Sequence, residues 1–216
     1  MTFVEKLVSI GSSPLGTNPT IKLTKVKDGL GARYCEMDDM LVQKNGFYAF
    51  EGALHVFPAK AEQVNPQEIT LTEWNDHDLW RFEYEDFTDG LFFFAEDLFG
   101  IQFAIQQDDI VSFDPESGEI KHIAATIEKW AEAILSDFQL LTGFPLAHDW
   151  QQVNGALRSR KRLLPKIPFI LGGQFESNNL VAVDSVEGMR YRGEIWRQIR
   201  DLPDGAQIKL RALPLQ

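Results

Sequence analysis

The amino-acid sequence predicts an α+β fold, in which a largely antiparallel or mixed central sheet is flanked by helices. Strand-like segments and tight-turn residues follow one another between residues 91 and 123, a pattern typical of an antiparallel meander. Segments with helical spacing of apolar residues lie before and after this region instead of alternating with its strands, which favours α+β over α/β. The 216 residues are 44% apolar and 12% aromatic, so the chain can bury a substantial core.

Before the meander, the sequence predicts three helices and one extended segment. Phe3, Leu7 and Ile10 fall on one face of a short N-terminal helix. Asn45-Gly46 is expected to end the second helix, because these residues tolerate left-handed backbone angles. The expected elements are a helix at 3–10, a helix at 36–44, aromatic-rich extended structure at 47–58 and a helix at 71–85.

The meander is indicated by a period of two and by turn chemistry. Every second residue from 99 to 105 is a large apolar one, which gives a strand with one apolar face. Asp108-Asp109 suits a tight turn, and the Asp-Pro-Glu-Ser-Gly run at 114–118 suits another. The expected strands are 91–95, 99–105, 110–113 and 119–123.

The C-terminal half is predicted to contain further helices and short strands. Thr126 is a helix cap, and the apolar spacing that follows it makes 126–140 the clearest helix of the chain. The basic residues 158–166 are expected to form a connector. The other expected elements are a helix at 146–157, strands at 167–171, 180–184 and 208–213, and a helix at 186–199.

Composition predicts one cytoplasmic domain. No repeat, low-complexity segment or obvious linker divides residues 1–216, so a single domain is expected. No apolar run approaches the ~20 residues of a membrane span. The first residues do not place a basic region before an apolar one, so no signal peptide is predicted. Cys35 is the single cysteine, which excludes an internal disulfide.

The formal net charge of −11 arises from one part of the chain. Residues 71–119 contain fourteen acidic residues and a single basic one, Arg81, whereas the rest of the chain is close to neutral. This acidic excess argues against a nucleic-acid binder, which needs a basic surface. It favours attraction to a basic protein partner.

The sequence contains no recognisable catalytic, cofactor-binding or metal-binding pattern. The GxSxG, GxxxxGK[ST] and GxGxxG patterns are missing, and none of the four histidines has the spacing of a metal motif. Cys35 is expected to be a half-buried structural thiol. The basic run at 158–162 is expected to be a solvated loop or an internal partner of the acidic segment. We therefore predict no catalytic residue, no metal and no cofactor.

The adjacent acids Glu96 and Asp97 lie between two apolar runs. Neighbours on a strand point to opposite faces, which disfavours a paired-carboxylate catalytic site. In a turn, a carboxylate can accept hydrogen bonds from backbone N–H groups, and this capping role is favoured. Direct contact with a partner is the next alternative, followed by a hydrolase that uses one of these acids with a histidine as base.

Several segments, taken in order, resemble the SUKH superfamily of Smi/Knr-type domains. A helix that ends in Asn-Gly, an aromatic extended segment and a meander with an acidic Asp-x-Phe-Gly stretch form the pattern of this family. The resemblance runs from about Lys44 to the C terminus and leaves the earlier residues unassigned. Its segments are KNGFYAFEGALHVFP (44–58), FFFAEDLFGIQFAI (92–105), VSFDPESGEI (111–120), IEKWAEAIL (127–135) and PKIPFILGGQF (165–175).

The resemblance implies an α+β domain with a central mixed sheet that binds a protein and is not an enzyme. Many bacterial members are immunity proteins that bind and block a cognate toxin, often a nuclease or a deaminase, while other members are regulatory. An immunity protein is therefore the favoured prediction, with a regulatory or scaffold module that has no toxin partner as the alternative.

The predicted partner-binding residues are acids at turns and strand ends of the meander, where exposure is expected. A nuclease holds phosphates in a basic cleft, so such a surface would be steered to that cleft and could occupy it. The alternative is that these acids only keep the protein soluble. The predicted acidic surface consists of Asp86, Asp89, Glu96, Asp97, Asp108, Asp109, Asp114 and Glu116.

Overall fold

The computed structural model of the protein describes residues 1–19, 31–203 and 205–206. The α-helices are α1 (Phe3–Ile10), α2 (Ala32–Gln43), α3 (Leu71–Trp74), α4 (Ile127–Ser136), α5 (Phe138–Thr142), α6 (Phe144–Asn154) and α7 (Ser185–Ile199). The strands are β1 (Phe47–Ala49), β2 (Leu54–Val56), β3 (Leu91–Glu96), β4 (Gln102–Gln106), β5 (Asp109–Phe113), β6 (Ile120–Ala124), β7 (Lys161–Pro165) and β8 (Leu180–Asp184). Short 3-10 helices span Arg81–Thr88, Phe169–Leu171 and Ser177–Asn179.

Strands β1 to β6 form one sheet, in which each strand pairs antiparallel with the next along the chain. The predicted α+β class is therefore confirmed, and the four predicted meander strands correspond to β3, β4, β5 and β6. Leu91 pairs with Gln106 at one end of β3, and Glu96 pairs with Gln102 at the other end. All six residues of β3 are buried.

Side-chain caps begin two of the predicted helices. The Thr126 hydroxyl accepts a hydrogen bond from the Lys129 N–H (3.0 Å) and starts α4, as the sequence predicts. Thr2 and Glu5 form a reciprocal capping box at the start of α1. The predicted helix at 126–140 is divided at Asp137, where the backbone leaves helical angles between α4 and α5.

The sheet is packed on both faces because neighbouring residues of β3 point in opposite directions. Phe94 contacts Trp130 of α4 (5.0 Å between ring centroids), and Phe103 of β4 contacts the same indole (5.7 Å). Phe93, on the other face, contacts Trp80 (5.1 Å). Each buried phenylalanine contributes roughly 1.5–3 kcal/mol of transfer free energy, so these aromatic residues hold helices to both faces.

The predicted helix at 71–85 is wrong in its extent. Helix α3 ends at Trp74 because the next residue, Asn75, bonds to the sheet: its side chain donates to the Phe93 carbonyl (2.7 Å) and accepts from the Phe93 N–H (2.9 Å). The chain then re-forms helical turns only from Arg81, and Glu85 interrupts them with a left-handed φ of 54°.

A second, two-stranded sheet corrects two further predictions. Residues 158–166 were expected to be a connector, but they contain β7, most of which is buried, and β7 pairs antiparallel with β8. Residues 167–171 were expected to be a buried strand, but they contain a 3-10 turn and expose Ile167 and Ile170. The Leu163 N–H donates to the Leu98 carbonyl (2.9 Å) and thereby joins β7 to the turn after β3.

The remaining predicted elements agree with the structure or lie outside it. Helix α6, strand β8 and helix α7 correspond to the elements expected at 146–157, 180–184 and 186–199. The strand predicted at 208–213 lies outside the described residues. In the described ranges, no helix has the length and apolarity needed to cross a membrane.

Asn45 fixes the chain after α2, and its loss should destabilise the fold. Its buried amide donates to the carbonyls of Thr17 (2.7 Å) and Ala59 (3.0 Å) and accepts from the Ala59 N–H (2.7 Å). Asn45→Ala leaves these groups unpaired, so we expect the free energy of unfolding to fall by about 2–4 kcal/mol. Urea unfolding measures this change. The exposed control Gln43→Ala should cost less than about 0.5 kcal/mol, and an equally small effect of Asn45→Ala would contradict the assignment.

Candidate functional site

The predicted acidic surface is divided between two opposite ends of the main sheet. Strand pairing places the β4–β5 turn beside the start of β3, and the β5–β6 turn beside its end. The two ends are separated by the length of a strand, roughly 16–20 Å. Asp89, Asp108 and Asp109 lie at the first end, called here the hairpin end; Glu96, Asp97, Asp114 and Glu116 lie at the second, called here the pocket end. Asp86 lies between them in the 3-10 helix before β3, next to Phe87, which contacts Phe113 and Trp196.

Three of the eight predicted surface acids are buried, so their expected exposure is wrong. The exposed fractions of Glu96, Asp97 and Glu116 are 1%, 3% and 6%. Asp114 is half-buried, and Asp86 and the three acids of the hairpin end are exposed. The buried acids are held by partners inside the molecule, which the following paragraphs describe.

Glu96 is the centre of a buried polar network. Its Oε1 accepts hydrogen bonds from the Arg162 Nε (2.8 Å) and from the His55 Nδ1 (3.1 Å), and its Oε2 accepts from the Gln102 side-chain amide (3.2 Å). Burial alone disfavours the carboxylate, but Arg162 and the His55 hydrogen bond outweigh this effect and lower the pKa of Glu96. Glu96 therefore stays ionised in the core.

His55 connects Glu96 to a second buried acid, Glu68. Burial lowers the pKa of His55 despite its hydrogen bond to Glu96, so the imidazole is neutral and its Nδ1 carries the proton that Glu96 accepts. The other ring nitrogen faces the Glu68 carboxylate (3.7 Å), which accepts a hydrogen bond from the Tyr48 hydroxyl (2.9 Å). Tyr48 stacks on the imidazole with ring centroids 4.4 Å apart.

The two groups of this network that a hydrolase would use, Glu96 and His55, are shielded from solvent. A catalytic carboxylate and its base must contact a substrate. Glu96 and His55 do contact each other, but both are buried. The buried surroundings of Glu96 therefore remove the geometric basis for a hydrolase that uses this carboxylate.

Asp97 has the turn-capping role that the sequence favours. Its Oδ1 accepts hydrogen bonds from the N–H groups of Phe99 and Ile101, both at 2.8 Å. Gly100 completes the turn with a left-handed φ of 78°, and a Cβ at this position would approach the Arg192 guanidinium to 2.9 Å. Burial raises the pKa of Asp97 to about 8, against the opposing effect of these two hydrogen bonds.

Arginines from the C-terminal half neutralise acids of the 71–119 segment. Besides the pair of Arg162 with Glu96, these ion pairs are Arg192 with Glu116 (3.6 Å), Arg197 with Glu83, and Arg200 with Glu85 (3.0 Å). The prediction that the basic run supplies an internal partner for the acidic segment is thus confirmed for Arg162. The acidic excess that reaches solvent is correspondingly smaller than the sequence suggests.

A pocket of about 280 Å³ opens at the pocket end of the sheet. Phe169 and Phe175 stack on each other (3.9 Å between centroids) and form one wall, against which Phe99 packs edge-on. Phe175 is 65% exposed and Ile170 is 44% exposed, so apolar surface continues from the pocket to solvent. A contiguous exposed apolar patch of this kind is typical of an interaction site.

Charged groups lie at the rim and at the floor of this pocket. Asp114 and the exposed Glu119 line the rim, while the buried pair Glu116 and Arg192 lines the floor. Glu116 accepts a hydrogen bond from the Ile170 N–H (3.2 Å), and burial raises its pKa although Arg192 opposes the shift. The Arg192 Nε makes this ion pair at 3.6 Å and has no hydrogen-bond partner within the described residues.

Among the described residues, neither a disulfide nor a cluster of metal-ligating side chains adds a second site. Cys35 is exposed and not half-buried as expected, and it is the single cysteine of the sequence. In the part of the chain that the structure describes, no cluster of three or more histidine, cysteine or acidic side chains could hold a metal ion.

Sequence reasoning did not identify Ile170, Phe175 or Arg192 as site residues. For Arg192 a signal exists: it lies three residues after Met189 and four before Trp196, which puts a charged residue on the buried face of α7. For Ile170, the apolar run around it was interpreted as a buried strand. Its exposure depends on the 3-10 turn, which the sequence does not reveal.

Comparison with protein-family models and with curated proteins gives no match. Among solved structures, that of Atu4351 from Agrobacterium tumefaciens is similar, with a TM-score of 0.54, 15% sequence identity and coverage of 88% of each chain. At this identity the similarity shows a shared α+β fold over most of both chains.

The Glu96–Arg162 contact should behave as a buried ion pair. Arg162→Met leaves a buried carboxylate without its guanidinium, so we expect the free energy of unfolding to fall by about 3–5 kcal/mol. The double variant Glu96→Gln/Arg162→Met removes both charges and should recover more than about 1 kcal/mol of that loss. Urea unfolding measures both. Lys129→Met breaks an exposed pair and serves as a control, with an effect below about 1 kcal/mol.

The single variant Glu96→Gln completes the cycle. If the loss of the double variant equals the sum of the losses of Glu96→Gln and Arg162→Met, Glu96 and Arg162 are not coupled. That result would contradict the network described above.

Asp97 should make stability fall as pH rises. Its pKa is about 8 in the folded protein and near 3.8 when unfolded, so its favourable contribution is full below pH 4 and is lost as pH rises to 8. Asp97→Asn keeps the acceptor oxygen but does not titrate. The stability of Asp97→Asn relative to wild type should therefore increase between pH 4 and 8, by at most about 1.4 kcal/mol per pH unit. Unfolding in urea across this range measures the difference, and a constant difference would contradict the assignment.

Proposed function

We propose that this chain is a non-enzymatic protein-binding domain of the SUKH type, and that it acts as a bacterial immunity protein. In this role it binds and neutralises a cognate toxin of the nuclease or deaminase class. The observation that carries the proposal is the pocket end of the sheet, where exposed apolar side chains are bordered by carboxylates. The proposal includes a cytoplasmic location and a single domain over residues 1–216.

The composition of the pocket end supports a protein partner. Ile167, Ile170 and Phe175 are exposed on one short segment, and Asp114 and Glu119 lie beside Ile170 and Phe175 at the pocket. Protein interfaces combine an apolar centre that contains aromatic residues with a polar rim. A nucleic acid is disfavoured because these carboxylates would repel its phosphates.

The remaining surface charge supports a basic partner. Asp89, Asp108 and Asp109 are exposed at the hairpin end, Asp86 is exposed on the 3-10 helix before β3, and Asp114 and Glu119 are at the pocket end. Acids at the hairpin end would raise the rate of encounter with a basic protein over long range. The pocket end would then make the contact, because apolar and charged groups adjoin there. Glu96, Asp97 and Glu116 are excluded from direct surface contact by their burial.

Co-expression with the product of the adjacent upstream gene tests the proposal. We expect a stoichiometric complex on pull-down, rescue of growth from the toxicity of that product, and an affinity that falls as salt concentration rises. Recovery of a complex without toxicity would overturn the immunity role and favour a regulatory module. No complex, or an affinity that does not change with salt, would contradict binding through charged groups.

A further inference from the structure

The pocket at the end of the sheet is small and continues into an exposed apolar surface. Its volume of about 280 Å³ is near the lower bound of roughly 300–1,000 Å³ for typical small-molecule sites. The wall formed by Phe169 and Phe175 continues to solvent, so an occupant can extend out of the pocket along this surface. These features fit a loop or chain segment of a protein more closely than an enclosed small molecule.

The charges of the pocket favour a cationic occupant. Asp114, Glu116 and Glu119 line it, and Arg192 is the one cation that lines it within the described part of the chain. Lys121 pairs with Glu119 (2.8 Å), but both groups are largely exposed and such a pair is weak. A further cation at the rim would therefore be attracted by carboxylates that the protein itself leaves partly uncompensated.

At the floor of the pocket, Arg192 favours a hydrogen-bond acceptor, whereas the carboxylates at the rim favour a cation. Arg192 is 2% exposed, and its Nε, which lies 3.6 Å from Glu116, has no hydrogen-bond partner within the described residues. Buried donors of this kind are normally paired. A main-chain carbonyl of an inserted segment could accept from Arg192 without adding a second negative charge to the pocket.

We propose that this pocket binds an arginine-bearing segment of the partner protein, with the arginine across Phe175 toward Asp114 and Glu119 and a main-chain carbonyl of the segment at Arg192. This inference rests on the proposed function, since it specifies the chemistry of the partner. A peptide segment supplies both required groups, whereas a free amine or a metal cation supplies only the positive charge.

Arginine fits the rim better than lysine does. Phe175 is an exposed aromatic ring, and a planar guanidinium stacks on such a face. The same group can donate hydrogen bonds to carboxylates from its edge while it is stacked. Lysine offers a point charge without this planar geometry.

Isoleucine methyl NMR with two capped tripeptides tests the proposal. The probes are acetyl-Gly-Arg-Gly-amide and its counterpart with citrulline, which is nearly isosteric with arginine but uncharged. At about millimolar concentration, we expect the arginine peptide to shift the methyl signals of Ile101 and Ile170, which line the pocket. The fully buried Ile105 and Ile134 should not shift. The citrulline peptide should bind about tenfold more weakly, or not measurably.

Variants at exposed positions distinguish direct contact of the arginine peptide with the pocket from a general effect of the negative charge of the protein. Phe175→Ala and Glu119→Gln should each weaken binding of the arginine peptide, by about three- to tenfold. Their matched controls are Leu140→Ala, at another exposed apolar residue, and Asp109→Asn, at the hairpin end; both should change binding by less than about twofold. Unchanged methyl signals of Ile105 and Ile134 show that each variant is folded.

Two results would overturn the inference: equal binding of the arginine and citrulline peptides, or no shift of Ile101 and Ile170 with either. The proposed function can fail separately. Arginine binding at this pocket without a toxin complex would contradict the immunity role alone. A toxin complex that tolerates both Phe175→Ala and Glu119→Gln would contradict the pocket inference alone.

Discussion

The ionised Glu96 carboxylate in the core is the interaction on which the arrangement of the two sheets depends. Its partners come from three other strands: His55 from β2, Gln102 from β4 and Arg162 from β7. A buried charge costs several kcal/mol unless its partners are well placed, so the network constrains where β7 can lie. The backbone hydrogen bond from Leu163 to Leu98 also holds β7 against the turn that follows β3. The pocket lies beside this turn, which Asp97 closes.

Folding also changes how much of the negative charge of the acidic segment is exposed, and where it lies. The sequence suggests one continuous negative surface, but the C-terminal arginines pair with Glu83, Glu85, Glu96 and Glu116 inside or along the molecule. The acids that stay exposed lie at opposite ends of the sheet. Long-range attraction of a basic partner is consistent with both ends, whereas close contact is favoured only where apolar side chains adjoin the acids.

Local patterns predicted much of the fold and little of the site. Period-two alternation identified the meander, and Thr126 with the apolar stripe after it identified α4, because both signals lie within one element. The predictions that were wrong involve contacts between residues that are far apart in the sequence. Asn75 leaves the helical pattern to bond with β3, and Arg162 lies on a buried strand because it meets Glu96, 66 residues away in sequence. A single sequence does not show such pairs, so the basic run could be predicted only as a solvated loop or as an internal partner of the acidic segment, without naming Glu96.

Hydrogen–deuterium exchange of the protein with and without its co-expressed partner tests most directly whether the pocket end is the contact surface. Backbone amides at 114–119 and 167–176 should become protected in the complex, while those at 89–90 and 107–109 of the hairpin end should exchange as in the free protein. Protection confined to the hairpin end, or to neither end, would contradict the assignment of partner contact to the aromatic pocket and its acidic rim.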